Sequence, residues 1–382
     1  MWENMNQPGY LLFFCVIFAS FCTPAIAETD KLFTTDVYIA GEDDYHTYRI
    51  PALVITQKGT LLAFCEGRKK GTGDDGDIDL LMKKSSDGGR TWSDLMVVYE
   101  DGGDAPITIG NPCPIVERNS HRIHLLFTRN NKRLFYTKSL DDGSTWSPPK
   151  EYTSILNQFD YPWVRVATGP VHGLHMTTGR LIAPVWLSNR VIKQKNVEST
   201  PNRFRSGILY SDNHGQTWHA GALVPPTINR LNECTVIEKP DGSLLLNMRA
   251  HRQGYRAVAT SEYAGITWSK PKLDKNLPCP TCQASMIRLN ENEILFLNPA
   301  VYDPEQNSRV SRRNLTLRLS QDEGKSWSHS RVIHSEKAGY SDMAITDKGT
   351  ILCLFENGSK DYREKISLVA VNREWLIDQD HE

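Results

Sequence analysis

The chain has no surplus of either charge: its 382 residues carry 44 Lys plus Arg against 45 Asp plus Glu. That balance gives no reason to expect nucleic acid or an anionic membrane surface as a partner. No stretch has sustained helical apolar periodicity, so nothing competes with a strand-based fold. Cysteine is sparse, and C-x-x-C occurs once, at Cys279-Pro-Thr-Cys282. A disulfide or a metal is open there, but the lack of a second C-x-x-C speaks against a metal. Cys65, Cys113, Cys234 and Cys353 sit in strand-like apolar runs and read as small core residues. The apolar run Tyr10–Phe21 is too short to span a bilayer comfortably. It leads into Ala25-Ile26-Ala27, which reads as a secretory signal over residues 1–27 cleaved after Ala27. Its n-region carries Glu3 and no Lys or Arg, which leaves an uncleaved anchor as the alternative. Two sequons, Asn314-Leu-Thr and Asn357-Gly-Ser, are glycan acceptors if the host attaches glycans.

What the chain does have is repetition. Residues 85–92 read S-S-D-G-G-R-T-W, and the pattern returns at 139–146, 211–218 and 320–327. A worn copy at 261–268 has Tyr263 in place of the acid. Each copy suits a tight turn, with Asp bonding backbone N–H groups, Gly at positive φ and Trp covering the turn. Each follows a strand-like run, such as I-D-L-L-M-K-K or L-T-L-R-L. These boxes are structural, and the sequence predicts that their five Trp occupy equivalent buried positions.

A second repeat interleaves with the first. A polar turn leads into an apolar strand at Lys58, Ser120, Thr178, Asp241, Glu291 and Lys348. The spacing, roughly 50 to 63 residues, is that of propeller blades. The prediction is an all-β chain, a six-bladed β-propeller over residues 28–382 with no second domain. One rim holds the boxes and short turns. The other gathers Arg49, Asn111, Thr168, Glu233, Gln283 and Tyr340 from first strands. It also gathers Glu66, Arg68, Arg129, Trp186, Arg249, Asn298 and Glu356 from second strands. The approaches to third strands add Asp74, Asp75, Asp77, Arg256, Arg312 and Arg313. Arginines and carboxylates crowded at one end of the axis predict a pocket for a small anion, with acid–base chemistry beside it.

On these residues the sequence resembles the exo-α-sialidases (neuraminidases) of the cellular and bacterial type. The resemblance rests on Tyr48-Arg49-Ile50-Pro51, the intact boxes, and G-D-D-G-D-I-D-L at 73–80. A-T-G-P at 167–170, N-E-C at 232–234 and G-Y-S at 339–341 complete it. It implies three arginines gripping a substrate carboxylate, matched by Arg49, Arg256 and Arg312, with Arg313 leaving the register of the last open. Guanidinium forks suit this because they bind carboxylates bidentately and never lose charge. It implies Tyr340 as nucleophile with Glu233 as its base, and Asp74 as general acid/base, with Asp75 and Asp77 close by. Arg68 is implied as a further substrate contact and Glu356 as the carboxylate that orients Arg49. Trp163 and Trp186 either wall the pocket or pack in the core.

The reading is therefore a retaining exo-α-sialidase that hydrolyses terminal sialic acids from sialylated glycoconjugates, with no cofactor and no metal. It would act in the secretory pathway, secreted, periplasmic or in the lysosomal lumen. No nucleic acid partner is expected, nor a stable membrane span after cleavage. Two alternatives share the pattern. A non-catalytic sialic-acid-binding propeller would have no need of Tyr340, Glu233 and Asp74 together. A trans-sialidase, intramolecular or not, has the same catalytic set and differs in acceptor or water access.

Overall fold

Alternating apolar positions and turn residues produce antiparallel strands throughout the computed structural model, which describes residues 32–189, 204–303, 305 and 311–378. The expected signal segment lies outside the described residues. After β1 (Phe33–Ile39), the first sheet is β2 (Thr47–Ile55), β3 (Leu61–Arg68), β4 (Ile78–Ser85) and β5 (Met96–Tyr99). The second is β6 (Ile109–Val116), β7 (Ile123–Arg129), β8 (Arg133–Ser139) and β9 (Lys150–Glu151). The third holds β10 (Arg165–Thr168), β11 (Leu174–His175), β12 (Leu181–Ser188), β13 (Phe204–Ser211) and β14 (His219–Leu223). The fourth is β15 (Leu231–Glu238), β16 (Leu244–Ala250), β17 (Tyr255–Ser261) and β18 (Lys272–Pro278). The remaining strands are β19 (Ser285–Arg288), β20 (Ile294–Pro299), β21 (Arg313–Ser320), β22 (His329–Ile345), β23 (Ile351–Gly358) and β24 (Lys365–Val371). They join β1 in one seven-stranded sheet ordered β1-β24-β23-β22-β21-β20-β19.

The fold is all-β and propeller-like. Six separate sheets were expected and five form, because β22 is continuous over 17 residues. Its first half pairs with β21 and its second with β23, and Lys337 stands opposite both Arg313 and Gly358. N-terminal β1 pairs antiparallel with C-terminal β24, so the two ends of the folded unit close on each other.

Apolar side chains fill the spaces between sheets. Ile115 and Leu126 of the second sheet meet Val185 and Leu209 of the third, and Ile208 and Ile182 meet Val236 and Leu246 of the fourth. Within the seven-stranded sheet, Leu295, Leu297, Leu315 and Leu317 pack against Met343, Ile351, Cys353 and Phe355.

The boxes are turns held by their own side chains. In the first, the Gly89 N–H donates to Ser85 Oγ at 2.8 Å and the Thr91 hydroxyl to Asp87 Oδ2 at 2.6 Å. Ser139, Asp141 and Thr145 repeat this, and Asn213 replaces the acid in the third copy. The Thr145 hydroxyl and backbone N–H hold the Asp141 carboxyl down to about 2. The worn copy keeps only the Ser261 bond to Gly265. The five Trp are not equivalent. Trp218 and Trp268 are buried, while Trp92, Trp146 and Trp327 are half-buried. Trp218 packs on Tyr136 and the cluster between second and third sheets. We expect Trp218→Ala to cost about 3–5 kcal/mol in urea unfolding and Trp92→Ala clearly less.

Two further features bear on conditions and modification. His124 is fully buried, with Nδ1 at 2.8 Å from Tyr136 Oη and Nε2 at 3.3 Å from Glu117. Burial pulls its pKa from 6.5 to about 4, against the opposing pull of Glu117. The neutral ring therefore stabilises the fold fully above the ordinary histidine value, and that contribution is lost as pH falls through about 4. The melting temperature should drop between pH 7 and pH 4, with roughly 3 kcal/mol at stake, and the slope should flatten in His124→Gln. Asn357 is buried in β23, where its amide donates to Phe355 O and Ser367 Oγ, so the folded chain offers no glycan acceptor there.

Candidate active site

The functional side chains are aimed by a device that repeats. The first strands of four hairpins each carry a register shift, at Arg49/Ala52, Gly110/Cys113, Leu231/Cys234 and Ala338/Ser341. A bulge re-aims the residue it contains. These bulges fall at or beside Arg49, Asn111, Glu233 and Tyr340. Ile50 and Asn111 accordingly adopt positive φ, 61° and 57°.

Tyr340 and Glu233 meet. The Tyr340 hydroxyl donates to Glu233 Oε1, and Arg249 Nη1 reaches both Glu233 Oε2 at 2.5 Å and Tyr340 Oη at 3.0 Å. Burial, with the Glu233 carboxylate behind it, pushes the phenol well above its ordinary value; Arg249 and Arg312 pull the other way. The phenol is thus neutral at rest, with a carboxylate positioned to take its proton.

Glu356 is fully buried near the end of β23 and ties β2 to β22. It accepts from Arg49 Nε at 2.7 Å, Arg49 Nη2 at 3.2 Å, Ile50 N at 2.9 Å and Tyr340 N at 3.0 Å. A Cβ on Gly339 would come within 2.1 Å of Glu356 Oε2, so only glycine fits before Tyr340. Glu66 plays the matching part at the end of β3. It accepts from Arg68 Nη2 at 2.7 Å and from Asn111 N at 3.1 Å. Arg68 in turn donates to Asp74 Oδ1 at 3.0 Å, and Arg49 Nη1 lies 3.7 Å from the same oxygen. Asp74 has a side chain 64% exposed, on the loop between β3 and β4, facing the buried arginines from the open side. Asp77 instead turns back to Lys69.

Arg312 is buried while Arg313 is exposed. Arg312 donates to Thr281 O at 3.1 Å and Tyr362 Oη at 3.3 Å. Its guanidinium and that of Arg49 both lie against the rings of Tyr340 and Tyr362.

Arg256 is not brought to this cluster. It is fully buried behind it, donating to Asn247 Oδ1 at 2.7 Å and Cys282 O at 2.8 Å. The reason is strand geometry: Glu233 lies within the register shift between Leu231 and Cys234 on β15, and the β16 side chain that meets it there is Arg249. The two stand equally far from the Asp241 turn, so hairpin symmetry was the signal available in the sequence. Tyr362 lies in the short β23–β24 connection and had no such signal. Cys279 and Cys282 are buried thiols beside Ile50 and Tyr340. Among the described residues, no group of three His, Cys, Asp or Glu is arranged to hold a metal. Trp163 packs on the hydrophobic cluster between the second and third sheets, and Trp186 meets Phe204 edge-on.

The family model described as a BNR repeat-like domain matches residues 59–353. A sialidase of Micromonospora viridifaciens is 30% identical over 85% of this chain, which spans 52% of that protein's length. An exo-alpha-sialidase of Aspergillus fumigatus is 30% identical over 94% of this chain and 90% of its own. Among solved structures, the Hadza microbial sialidase Hz136 superposes with a TM-score of 0.77 at 27% identity, covering 90% of this chain and 69% of the other.

Proposed function

The chain belongs to the sialidase family, and from that premise we propose that it is a retaining exo-α-sialidase acting on terminal sialic acids of glycoproteins, glycolipids or oligosaccharides. The observation that carries this is the Glu233–Tyr340–Arg249 contact, with Arg49 and Arg312 against the same tyrosine ring. Sialidases with a tyrosine nucleophile are the established exception to the two-carboxylate glycosidase scheme. A phenol is also the reasonable nucleophile here. An attacking carboxylate would be repelled by the carboxylate on the anomeric carbon of the substrate.

In the proposed mechanism, Arg49, Arg249 and Arg312 grip that carboxylate, Arg249 taking the place that the sequence pattern gave to Arg256. Tyr340 Oη attacks the anomeric carbon as its proton passes to Glu233. Arg249 Nη1 stabilises the developing phenolate, and Asp74 protonates the departing glycosidic oxygen. Asp74 then takes a proton from water, which displaces Tyr340 as Glu233 returns the phenol its proton, and the anomeric configuration is retained. Arg68 holds Asp74, and Glu66 holds Arg68. No step calls on a metal or cofactor.

We count six blades, the seven-stranded sheet being two that share β22. Two features support the count: the face-to-face packing of its halves, and a central cavity of about 890 Å³ on the rim away from the site. Ile55, Val116, Leu174, Ile237, Ile287 and Ile345, one from the first or adjoining strand of each candidate blade, all line that cavity. Among the described residues no helix is long and apolar enough to cross a membrane. Entry into the secretory pathway with cleavage after Ala27 is part of this proposal.

The test is hydrolysis of a fluorogenic α-sialoside, with the first-formed sialic acid anomer followed by NMR. Release of the α-anomer supports a retaining hydrolase. The β-anomer as first product would contradict it. A product that holds no added water would mark a trans-sialidase, and binding without turnover a lectin-like propeller.

A further inference from the structure

We propose that Tyr362 is a positioning residue for the carboxylate clamp, holding Arg49 and Arg312 side by side while the site is empty; this rests on the clamp reading above. Two guanidinium groups converging on one carboxylate repel each other until it arrives. Arg49 has a buried counter-charge in Glu356. Arg312 makes no ion pair among the described residues: its hydrogen bonds go to the Thr281 carbonyl and the Tyr362 hydroxyl, and its Nε is buried without a partner.

What both cations share is aromatic faces. Arg49 Cζ lies 5.2 Å from the Tyr340 ring centroid and 5.3 Å from that of Tyr362. Arg312 Cζ lies 5.5 Å and 5.2 Å from the same two. The negative face of an aromatic ring attracts a desolvated cation without competing for its N–H donors. A carboxylate in that place would neutralise the clamp and occupy the donors the ligand needs. Tyr340 cannot serve alone, because it is the group that reacts. Tyr362 is the ring that stays.

The connection is built to hold that ring still. The Glu364 carboxylate accepts from the backbone N–H groups of Ser359, Lys360 and Asp361, at 3.0, 2.9 and 2.9 Å. Arg363 is tied back to Asp361. A Cβ on Gly339 would lie 2.7 Å from Tyr362 Cδ2, so the ring packs directly on the backbone before the nucleophile. Tyr362 itself is only 5% exposed.

The test compares Tyr362→Leu, which fills the space without a π face, with Tyr362→Phe, which keeps the face and loses the hydroxyl. Tyr362→Leu should raise KM, and the Kd for a dehydrated sialic-acid analogue, by about 5- to 30-fold with a smaller change in kcat. Tyr362→Phe should restore most of that loss. An unchanged KM and Kd in Tyr362→Leu, or a fall confined to kcat, overturns the proposal. A second readout needs no substrate. In protein labelled with ¹⁵N-arginine, the Arg312 Nε–H signal should be sharp in the parent and in Tyr362→Phe, and broadened or shifted to the solvent-exposed position in Tyr362→Leu. The same sharp, unshifted signal in all three overturns the positioning role even if the parent proves inactive on every sialoside, an outcome that separately defeats the function proposed above.

Discussion

Tyr340→Phe should lower kcat/KM on the order of 10³-fold or more for every sialoside, whatever its leaving group, while leaving the fold and the binding of a dehydrated analogue largely intact. The phenol is buried, neutral at rest and in contact with Glu233, so removing its oxygen removes the proposed nucleophile and little else. Asp74 predicts a different pattern. Its proposed task is to protonate the departing oxygen, so Asp74→Asn should cost about 10²–10⁴-fold with a poor alcohol leaving group and far less with an activated phenol. Steady-state kinetics on a pair of sialosides differing only in aglycone reads both effects. Equal sensitivity of the Asp74 variant to the two aglycones would remove it from the acid role.

The second large effect separates Arg249 from Arg256, the arginine that the sequence pattern placed in the clamp. Arg249→Ala should weaken binding of substrate and dehydrated analogue, and also depress kcat, because Arg249 touches both Glu233 and the phenolic oxygen. It leaves Glu233 buried without its ion-pair partner, so some loss of stability, roughly 3–5 kcal/mol, comes with it. Arg249→Lys should recover the stability better than the activity, since an ammonium cannot fork. Arg256→Ala should do the opposite. Its guanidinium contacts Asn247 and the Cys282 carbonyl, so the damage should appear in unfolding and only weakly in KM. Kinetics at a temperature where both variants are folded distinguishes the two. A KM defect larger in Arg256→Ala than in Arg249→Ala would restore the earlier assignment.

The contrast shows which information a sequence of repeats carries. The boxes announce themselves because a turn needs particular residues at fixed offsets, and Ser85, Asp87, Gly89 and Thr91 bond as those offsets require. The rim that gathers the arginines follows from alternating strand direction, and Arg49, Glu356, Tyr340 and Glu233 meet there. What strand direction does not give is which of two arginines on neighbouring strands faces inward. That comes from hairpin symmetry instead, since Glu233 and Arg249 stand equally far from the Asp241 turn and Arg256 does not. The five sheets have another origin. No Gly, Pro, Asn or Asp interrupts His329–Glu336, and the bulge at Ala338/Ser341 absorbs Gly339 and Tyr340 within β22, so one strand serves both halves of the sheet. Tyr362 lay beyond reach because its role depends on a distant pair, Arg49 and Arg312, and on no local pattern.

Most directly, the central claim is tested by trapping. The protein is incubated with a 2,3-difluoro sialic acid, whose second fluorine slows hydrolysis of a glycosyl adduct, and then read by intact mass and peptide mapping. One sialosyl equivalent on the peptide containing Tyr340, absent from Tyr340→Phe, is the predicted result. An adduct on Glu233 or Asp74, or turnover of sialosides with inversion and no adduct at all, would contradict it.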